Sequence, residues 1–357
     1  MRALGLGVLA LFVVACGKDS SQSSSSSSTA SSGGSVDLTG AGATFPYPIY
    51  SKWFADYASR AGVKINYQSI GSGGGIRQLS EGTVDFGASD SPMSNEEMAK
   101  AKGGPIFHFP TVLGAVVITY NLPGVTAPVK LTAKVVADIF SGRITKWNDA
   151  RITSLNAGVS LPATDILVVH RSDGSGTTYI FTDYLSAAVP AWNTAPGKGK
   201  EVKWPVGLGA KGNEGVAGQV KQTPGSIGYV ELAYAKQNNL PAAAIANKSG
   251  AYVVPSVAAV TAAAAGAAAS LPPTTDYRIS IVNGPGADAY PISSFTWILI
   301  YQRQPDAAKG KKLVDFMTWA YDEGEKAAGA LDYAPLPAEL LPRVKAQLTK
   351  IELGAGR

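Results

Sequence analysis

Cysteine and histidine are scarce in this chain of 357 residues, which contains one Cys and two His. A lone cysteine cannot form an internal disulfide, and no group of Cys, His and Glu has the spacing of zinc ligands. His108 lies between Phe107 and Phe109, a setting typical of a packed or surface imidazole rather than a general base. We therefore expect no disulfide scaffold, no metal and no cofactor.

Dense runs of basic residues are also missing. The chain has 31 Lys and Arg against 26 Asp and Glu, and the resulting formal charge of +5 is scattered. This balance indicates small anions or solubility rather than nucleic acid. No glycine loop has P-loop spacing, and residues 207–212, which fit G-x-G-x-x-G, follow a Trp-Pro pair and precede a poor helix start at Glu214. We therefore expect no nucleotide binding.

Only one long apolar run is present near the start of the chain, at residues 3–15, and it is too short to cross a bilayer. With its basic start, the segment 1–15 is predicted to be a secretory signal peptide. Small residues before the lone Cys16 resemble a bacterial lipobox, in which the Cys becomes the acylated first residue; a free structural Cys is the alternative. Residues 16–35, rich in Ser, are predicted to form the lipid anchor and a flexible tether.

The rest of the chain alternates short apolar strands with helical segments, which is typical of α/β layers with largely parallel sheets. Its length exceeds one typical domain and favours two lobes. Residues 112–120 are apolar enough to run from one lobe into the other, with residues 280–293 returning. The Ala-rich segment 256–270 is predicted to be a peripheral helix of the second lobe. We expect lobe 1 to comprise residues 36–112 and 289–357, and lobe 2 to comprise residues 113–288.

Three glycine-rich loops each lie where a helix is predicted to begin. Thr44 and Phe45 precede an amphipathic helix, Ser72 lies in the glycine loop 71–75, and residues 174–178 form a Gly-Ser-Gly-Thr-Thr stretch after a buried strand. A helix N-terminus has unpaired N–H groups and the positive end of a dipole, so it favours an anion. Three such loops indicate that they converge on one small anion.

Charged residues accompany these loops. Arg171 supplies a planar fork of donors suited to an oxyanion. A carboxylate beside an anion would repel it, so we expect Asp173 to accept hydrogen bonds from Arg171 and hold its guanidinium; a capped helix with a surface Arg–Asp pair is the alternative. Asp90 follows a short strand, and it either faces the ligand or serves as a cap or turn residue for a helix near Asn95.

Six stretches together resemble the phosphate-binding proteins of bacterial ABC phosphate importers. They are LTGAGATFP at 38–46, IGSGGG at 70–75, TVDFGASD at 83–90, RSDGSGT at 171–177, KWPVGLG at 203–209 and GYVE at 228–231. The resemblance implies a two-lobed α/β fold like that of periplasmic binding proteins, with the ligand cleft between the lobes. It also implies the positions that enclose inorganic phosphate: Thr44, Phe45, Ser72, Asp90, Arg171, Asp173, Ser175, Gly176 and Thr177.

The resemblance further implies a monomeric binding protein rather than an enzyme. It would capture phosphate outside the cytoplasmic membrane by hinge closure and deliver it to an ABC permease and ATPase complex. Two alternatives remain open. One is a binder of sulfate or another tetrahedral oxyanion, and the other is a phosphoester hydrolase with Ser175 as nucleophile and His170 as its base.

We predict that Cys16→Ala releases the protein from membranes and leaves phosphate binding intact, because the tether separates the fold from its terminus. Cells that express the variant or the wild type are fractionated, the membranes are washed with high salt, and phosphate binding is measured for each protein. Retention of the variant on washed membranes would contradict the lipid anchor.

Overall fold

Strands and helices alternate through the computed structural model, which describes residues 37–268, 271–272 and 274–354. The strands are β1 Leu38–Gly42, β2 Ile65–Ser69, β3 Phe86–Ser89, β4 Ile106–Tyr120, β5 Lys130–Leu131, β6 Leu167–Arg171, β7 Leu208–Ala210, β8 Ser226–Glu231, β9 Ala244–Ala246, β10 Tyr252–Val253, β11 Ser293–Tyr301, β12 Arg303–Gln304 and β13 Glu352–Leu353. The α-helices are α1 Tyr47–Ala61, α2 Ser72–Glu81, α3 Asn95–Ala99, α4 Ala133–Phe140, α5 Ala150–Thr153, α6 Gly176–Ala188, α7 Pro190–Thr194, α8 Gly212–Gln222, α9 Leu232–Gln237, α10 Val257–Ala268, α11 Ala307–Asp322 and α12 Leu341–Leu348. The predicted α/β class is confirmed, while Cys16, the signal segment and the tether lie outside the described residues.

An eight-stranded sheet, in the order β2-β1-β3-β11-β4-β8-β6-β7, forms the centre of the fold. Strand β1 is parallel to β2 and β3, and β6 is parallel to β7 and β8. The antiparallel pairs β3-β11, β11-β4 and β4-β8 lie between these two parallel groups. Every residue of β8 and β11 is buried, as expected for strands with elements packed on both faces. None of the described helices is both long and apolar enough to cross a membrane.

The long strand β4 belongs to both halves of this sheet. It pairs with β11 from Ile106 to Ala115 and with β8 from Val116 to Tyr120. We call the half with β1, β2, β3 and β11 the first lobe, and the half with β6, β7 and β8 the second lobe. Strand β4 begins earlier than predicted, because a register shift opposite Thr296 and Trp297 lets a proline-containing segment stay within the sheet.

The Ala-rich helix α10 lies at the surface, with one face buried and the opposite face exposed. It packs on β4 and β11, and Ala259, Val260, Ala263 and Ala264 are buried. Small side chains give little packing area individually, but they let a helix approach a sheet closely. The predicted peripheral helix therefore forms, and it packs on β11 of the first lobe as well as on β4, which both lobes share.

Glycine brings α2 into contact with β1. A Cβ atom on Gly75 would lie 2.4 Å from the Cα of Gly42 and 2.5 Å from the carbonyl oxygen of Ala41. Both neighbours are backbone atoms, which cannot move aside as a flexible side chain can. The contact therefore fixes the first turn of α2, which begins at Ser72, against the end of β1.

We predict that Gly75→Ala lowers the free energy of unfolding by about 1–3 kcal/mol, because the added methyl group has no room. Gly218→Ala is the matched control, since Gly218 also lies in a helix and a Cβ there meets nothing within 4 Å. The control should gain about 0.5–1 kcal/mol from helix propensity. Urea unfolding of both variants measures the difference, and equal effects would contradict the close contact.

Candidate functional site

The loops predicted from the sequence lie at the carboxyl ends of strands in both lobes. They place Thr44 and Phe45 after β1, Ser72 after β2, and Arg171 to Thr177 from the end of β6. Asp90 follows β3, and Gly212, which the sequence did not assign to the site, follows β7. Because the strands are parallel within each group, these ends lie at one edge of each lobe, where α/β proteins bind ligands. Among the described residues, no group of three or more His, Cys, Asp or Glu could hold a metal ion.

Ser72 joins the two lobes. Its Oγ accepts hydrogen bonds from Asp90 N at 3.2 Å and from Gly176 N at 3.1 Å. Gly176 is the first residue of α6, and a Cβ there would lie 2.5 Å from both Ser72 Oγ and Asp90 Oδ2. Next to this contact, Gly73 N donates to Gly174 O at 2.8 Å. The N-termini of α2 and α6 therefore meet, and three of the predicted site residues lie together.

The buried Arg171 and the partly buried Asp173 form a bidentate ion pair. Arg171 Nε donates to Asp173 Oδ1 at 2.8 Å and Nη2 donates to Oδ2 at 2.5 Å. Burial alone would raise the pKa of Asp173, but the hydrogen bonds and charge of Arg171 hold that pKa below its ordinary value. Gly212 N also donates to Asp173 Oδ1, at 3.1 Å. The predicted pairing is confirmed, and the alternative of a surface pair is wrong, since Arg171 is only 4% exposed.

Asn213 joins Thr44 to Thr177, and the sequence analysis did not find it. Its Nδ2 donates to Thr44 Oγ1 at 2.7 Å and to Thr177 Oγ1 at 3.0 Å. We expected a poor helix start near Glu214, but α8 begins at Gly212, so that part of the reasoning was wrong. The strand, glycine and helix pattern of residues 207–212 was the signal that could have located this residue.

Two tyrosines complete the contacts around the first loop. Tyr234 donates its hydroxyl proton to Thr44 O at 2.6 Å, and Tyr333 donates to Phe45 O at 2.6 Å. Both rings are buried, and Phe45 is fully buried. Because the two carbonyl groups are held in this way, the orientation of the Thr44 and Phe45 peptide groups is fixed.

Ser175 acts as the N-cap of α6. Its Oγ accepts a hydrogen bond from Thr178 N at 3.0 Å, and its own N–H donates to Lys200 O at 3.0 Å. His170 instead donates from Nδ1 to Arg171 O at 2.9 Å and stacks on Trp204 with centroids 4.9 Å apart. Ser175 and His170 therefore do not form the pair that nucleophilic catalysis would need.

Asp90 lies beside Ser72 and Gly176. Its carboxyl is buried, and the residue is 1% exposed. Thr296 Oγ1 donates to its Oδ1 at 2.8 Å. Burial raises the pKa of Asp90 to about 7, although the hydrogen bond from Thr296 and the charge of Arg171 oppose the rise. The alternative that Asp90 caps α3 is wrong, because Ser94 is the N-cap and forms a capping box with Glu97.

Comparison with known proteins agrees with this geometry. A family model described as "PBP superfamily domain" matches residues 24–323. Phosphate-binding protein PstS of Xylella fastidiosa strain Temecula1 is 48% identical over 313 residues, which cover 87% of this chain and 85% of the relative. Phosphate-binding protein PstS of Pasteurella multocida is 47% identical over 311 residues, with coverages of 87% and 89%. The chain belongs to the PstS phosphate-binding protein family.

A solved structure resembles this PstS family member in fold. It is the high-affinity periplasmic phosphate-binding protein PfluDING bound with phosphate, at a TM-score of 0.73 and 24% identity, covering 90% of this chain and 99% of that one. The two-lobed α/β fold expected from the sequence is confirmed.

We predict that Asp90→Asn stabilises this PstS family member at pH 8 and does so less at pH 5. The contribution of Asp90 to stability is full below its ordinary pKa of 3.8 and is lost as the pH rises to about 7, because the folded protein then has to bury a charge. The gain at pH 8 should be at most about 4 kcal/mol. Urea unfolding in phosphate-free buffer at both pH values measures it.

Asp138→Asn is a control of opposite sign. Burial acts to raise the pKa of Asp138, but hydrogen bonds from Lys134 and Arg143 hold that pKa below its ordinary value. The stability that Asp138 contributes is therefore present at neutral pH and lost as the pH falls. This variant should be less stable than the wild type at pH 8, and a gain in both variants would contradict the explanation for Asp90.

Proposed function

We propose that the protein binds inorganic phosphate in the cleft between its lobes and presents it to an ABC permease and ATPase complex for import. The observation that carries the proposal is the meeting of a buried guanidinium, three helix N-termini and one buried carboxyl at the same place. Relatives that share nearly half of the aligned residues are named phosphate-binding proteins. The protein is a binding protein and not an enzyme.

The anion would be held by one cation and a set of neutral donors. Arg171 supplies the charge, in the orientation that Asp173 imposes. The other groups that we assign to the anion are the backbone of Thr44, Phe45, Gly176 and Thr177 and the hydroxyls of Thr44, Ser72, Ser175 and Thr177. Hydrogen bonds from a charged donor are about twice as strong as neutral ones, so Arg171 should contribute most per bond.

Asp90 would select phosphate over sulfate. Phosphate still carries a proton at neutral pH and can donate to a carboxylate, whereas sulfate can only accept. Beside sulfate, an ionised Asp90 would place two anionic acceptors against each other in a cleft from which water is largely excluded. Selection thus comes from an unfavourable interaction between Asp90 and sulfate.

Closure of the lobes would couple binding to delivery. Contacts across the cleft include Lys200 Nζ to Glu97 Oε1 at 2.6 Å as well as Gly73 N to Gly174 O at 2.8 Å. We propose that residues 36–112 with 289–357 move against residues 113–288 as a hinge, and that the bound anion favours the closed state. The permease would then recognise the closed form.

The place of action that we propose is outside the cytoplasmic membrane. The signal segment 1–15 would direct export, and acylation of Cys16 would hold the protein at a membrane through the tether of residues 16–35. One lipid-modified terminus is an anchor rather than a span. We propose that the protein works there as a monomer.

The test is isothermal titration calorimetry of the wild type with phosphate and with sulfate, at fixed pH and ionic strength. The wild type should bind phosphate and largely ignore sulfate. Asp90→Asn should narrow the difference between the two ions, because an amide can donate to either. If the wild type bound sulfate as tightly as phosphate, the assigned ligand would be wrong.

Asp85→Asn is the matched control for this titration. Asp85 lies in the same short stretch as Asp90, but it accepts from Thr39 and from Lys309. Its substitution should leave the ratio of phosphate to sulfate affinity unchanged. An Asp90→Asn variant that excluded sulfate as firmly as the wild type would show that Asp90 is not the selector.

A further inference from the structure

The side-chain amide of Asn213 has only one possible orientation. Its Oδ1 accepts a hydrogen bond from Glu231 N at 2.9 Å, and a backbone N–H can only donate. The oxygen of the amide must therefore face Glu231, and the NH₂ group must face the cleft. Asn213 is fully buried, so water does not compete for either end of the amide.

The two hydrogens of that NH₂ group go to two threonine hydroxyls, one in each lobe. They reach Thr44 Oγ1 at 2.7 Å and Thr177 Oγ1 at 3.0 Å. Each of these oxygens accepts a second hydrogen bond: Thr44 Oγ1 from Asn213 N at 3.2 Å, and Thr177 Oγ1 from Arg171 Nη1 at 3.3 Å. A hydroxyl has two acceptor positions and one proton, so both acceptor positions are filled on each threonine.

We propose that Asn213 is a positioning residue that makes Thr44 and Thr177 act only as donors toward the anion. The inference rests on the phosphate site proposed above. With their lone pairs occupied, the two hydroxyls have only a proton left to offer, and neither can turn to accept from a protonated ligand. A protonated oxygen of the ligand is thereby directed toward Asp90 and away from the threonines.

The proposal also makes the donor pattern depend on closure. Thr44 belongs to the first lobe, while Asn213 and Thr177 belong to the second. Only when the lobes meet do both hydroxyls lose their freedom to accept. In the closed state the two hydroxyls are already oriented, so no further free energy is needed to order them when the anion binds. Donors of this kind bind an anion better than donors that must first reorient.

Asn213→Asp is the sharpest single substitution, because it keeps the shape of the side chain and the oxygen that accepts from Glu231 N. The second oxygen then faces Thr44 and Thr177 as an acceptor, so their protons turn toward it and away from the ligand. Phosphate affinity should fall on the order of 100-fold, as two donors are lost beside a new negative charge. Calorimetry measures the affinity, and thermal unfolding without phosphate confirms that the variant is folded.

Asn121→Asp is the matched control. The amide of Asn121 donates to Val220 O at 3.0 Å and Lys221 O at 2.9 Å, at the other end of the same helix α8. This change should cost stability while leaving phosphate affinity within about twofold, well below the effect of one hydrogen bond. Equal losses of affinity in the two variants would mean that Asn213 only supports α8, and the proposal would be overturned.

The pH dependence separates positioning from a folding defect. In Asn213→Asp, protonation of the introduced carboxyl restores a donor, so the ratio of its phosphate Kd to that of the wild type should decrease from pH 8 to pH 5. A purely structural defect predicts a constant ratio. Dividing by the wild-type value removes the part of the pH dependence that the two proteins share.

A double-mutant cycle with Thr177→Val tests the same point without a new charge. If Asn213 acts through the threonine hydroxyls, Asn213→Ala should cost less affinity in the Thr177→Val background than in the wild type. Additive losses would overturn the inference.

The same titrations separate the two proposals. If the wild type did not bind phosphate, the proposed function would be wrong. If the wild type bound phosphate and the Asn213→Asp variant bound it equally well, only the role of Asn213 would be overturned.

Discussion

The ion pair of the buried Arg171 with Asp173 is the interaction on which the rest of the site depends. A guanidinium that is 4% exposed has lost most of its hydration, and removing its partner would leave a buried charge at a cost of about 3–5 kcal/mol. Asp173 is held in turn by the N–H of Gly212 at the start of α8. The cation therefore has one orientation, and its presence lowers the cost of bringing an anion into a place with little water.

The polar groups around Arg171 include many hydrogen-bond donors and one carboxyl. Hydroxyl and N–H donors come from the starts of α1, α2 and α6, while Asp90 is the carboxyl set among them. Because burial brings the pKa of Asp90 to about 7, this group exchanges its proton near neutral pH. In its ionised form this carboxyl can accept a hydrogen bond from an oxyanion that still carries a proton, and it is costly beside an oxyanion that does not. In the proposed site, discrimination between ions of the same size therefore depends on Asp90.

Local patterns predicted much of this arrangement, since each loop combines a strand end, glycine and a hydroxyl at a helix start. Partners distant in sequence could not be predicted in this way: Tyr333 reaches Phe45 across 288 positions, and Asn213 reaches Thr44 across 169. Strand β7 was not predicted because Trp204 and Pro205 indicated an interruption. Strand β7 begins only after them, at the edge of the sheet, where a short strand is sufficient.

The contacts across the cleft also indicate where net affinity comes from. Gly176 N–H donates to Ser72 Oγ in this structure, so an anion that takes this donor replaces one hydrogen bond with another. Exchanges of that kind contribute little net free energy, about 1 kcal/mol for each typical bond. The gain must therefore come chiefly from terms that the protein cannot satisfy internally, namely the charge of Arg171 beyond its pairing with Asp173 and the positive ends of the helices. On this argument Arg171 and the helix ends supply most of the affinity and the hydroxyls add to it, while in the proposed site Asp90 decides which ion is held.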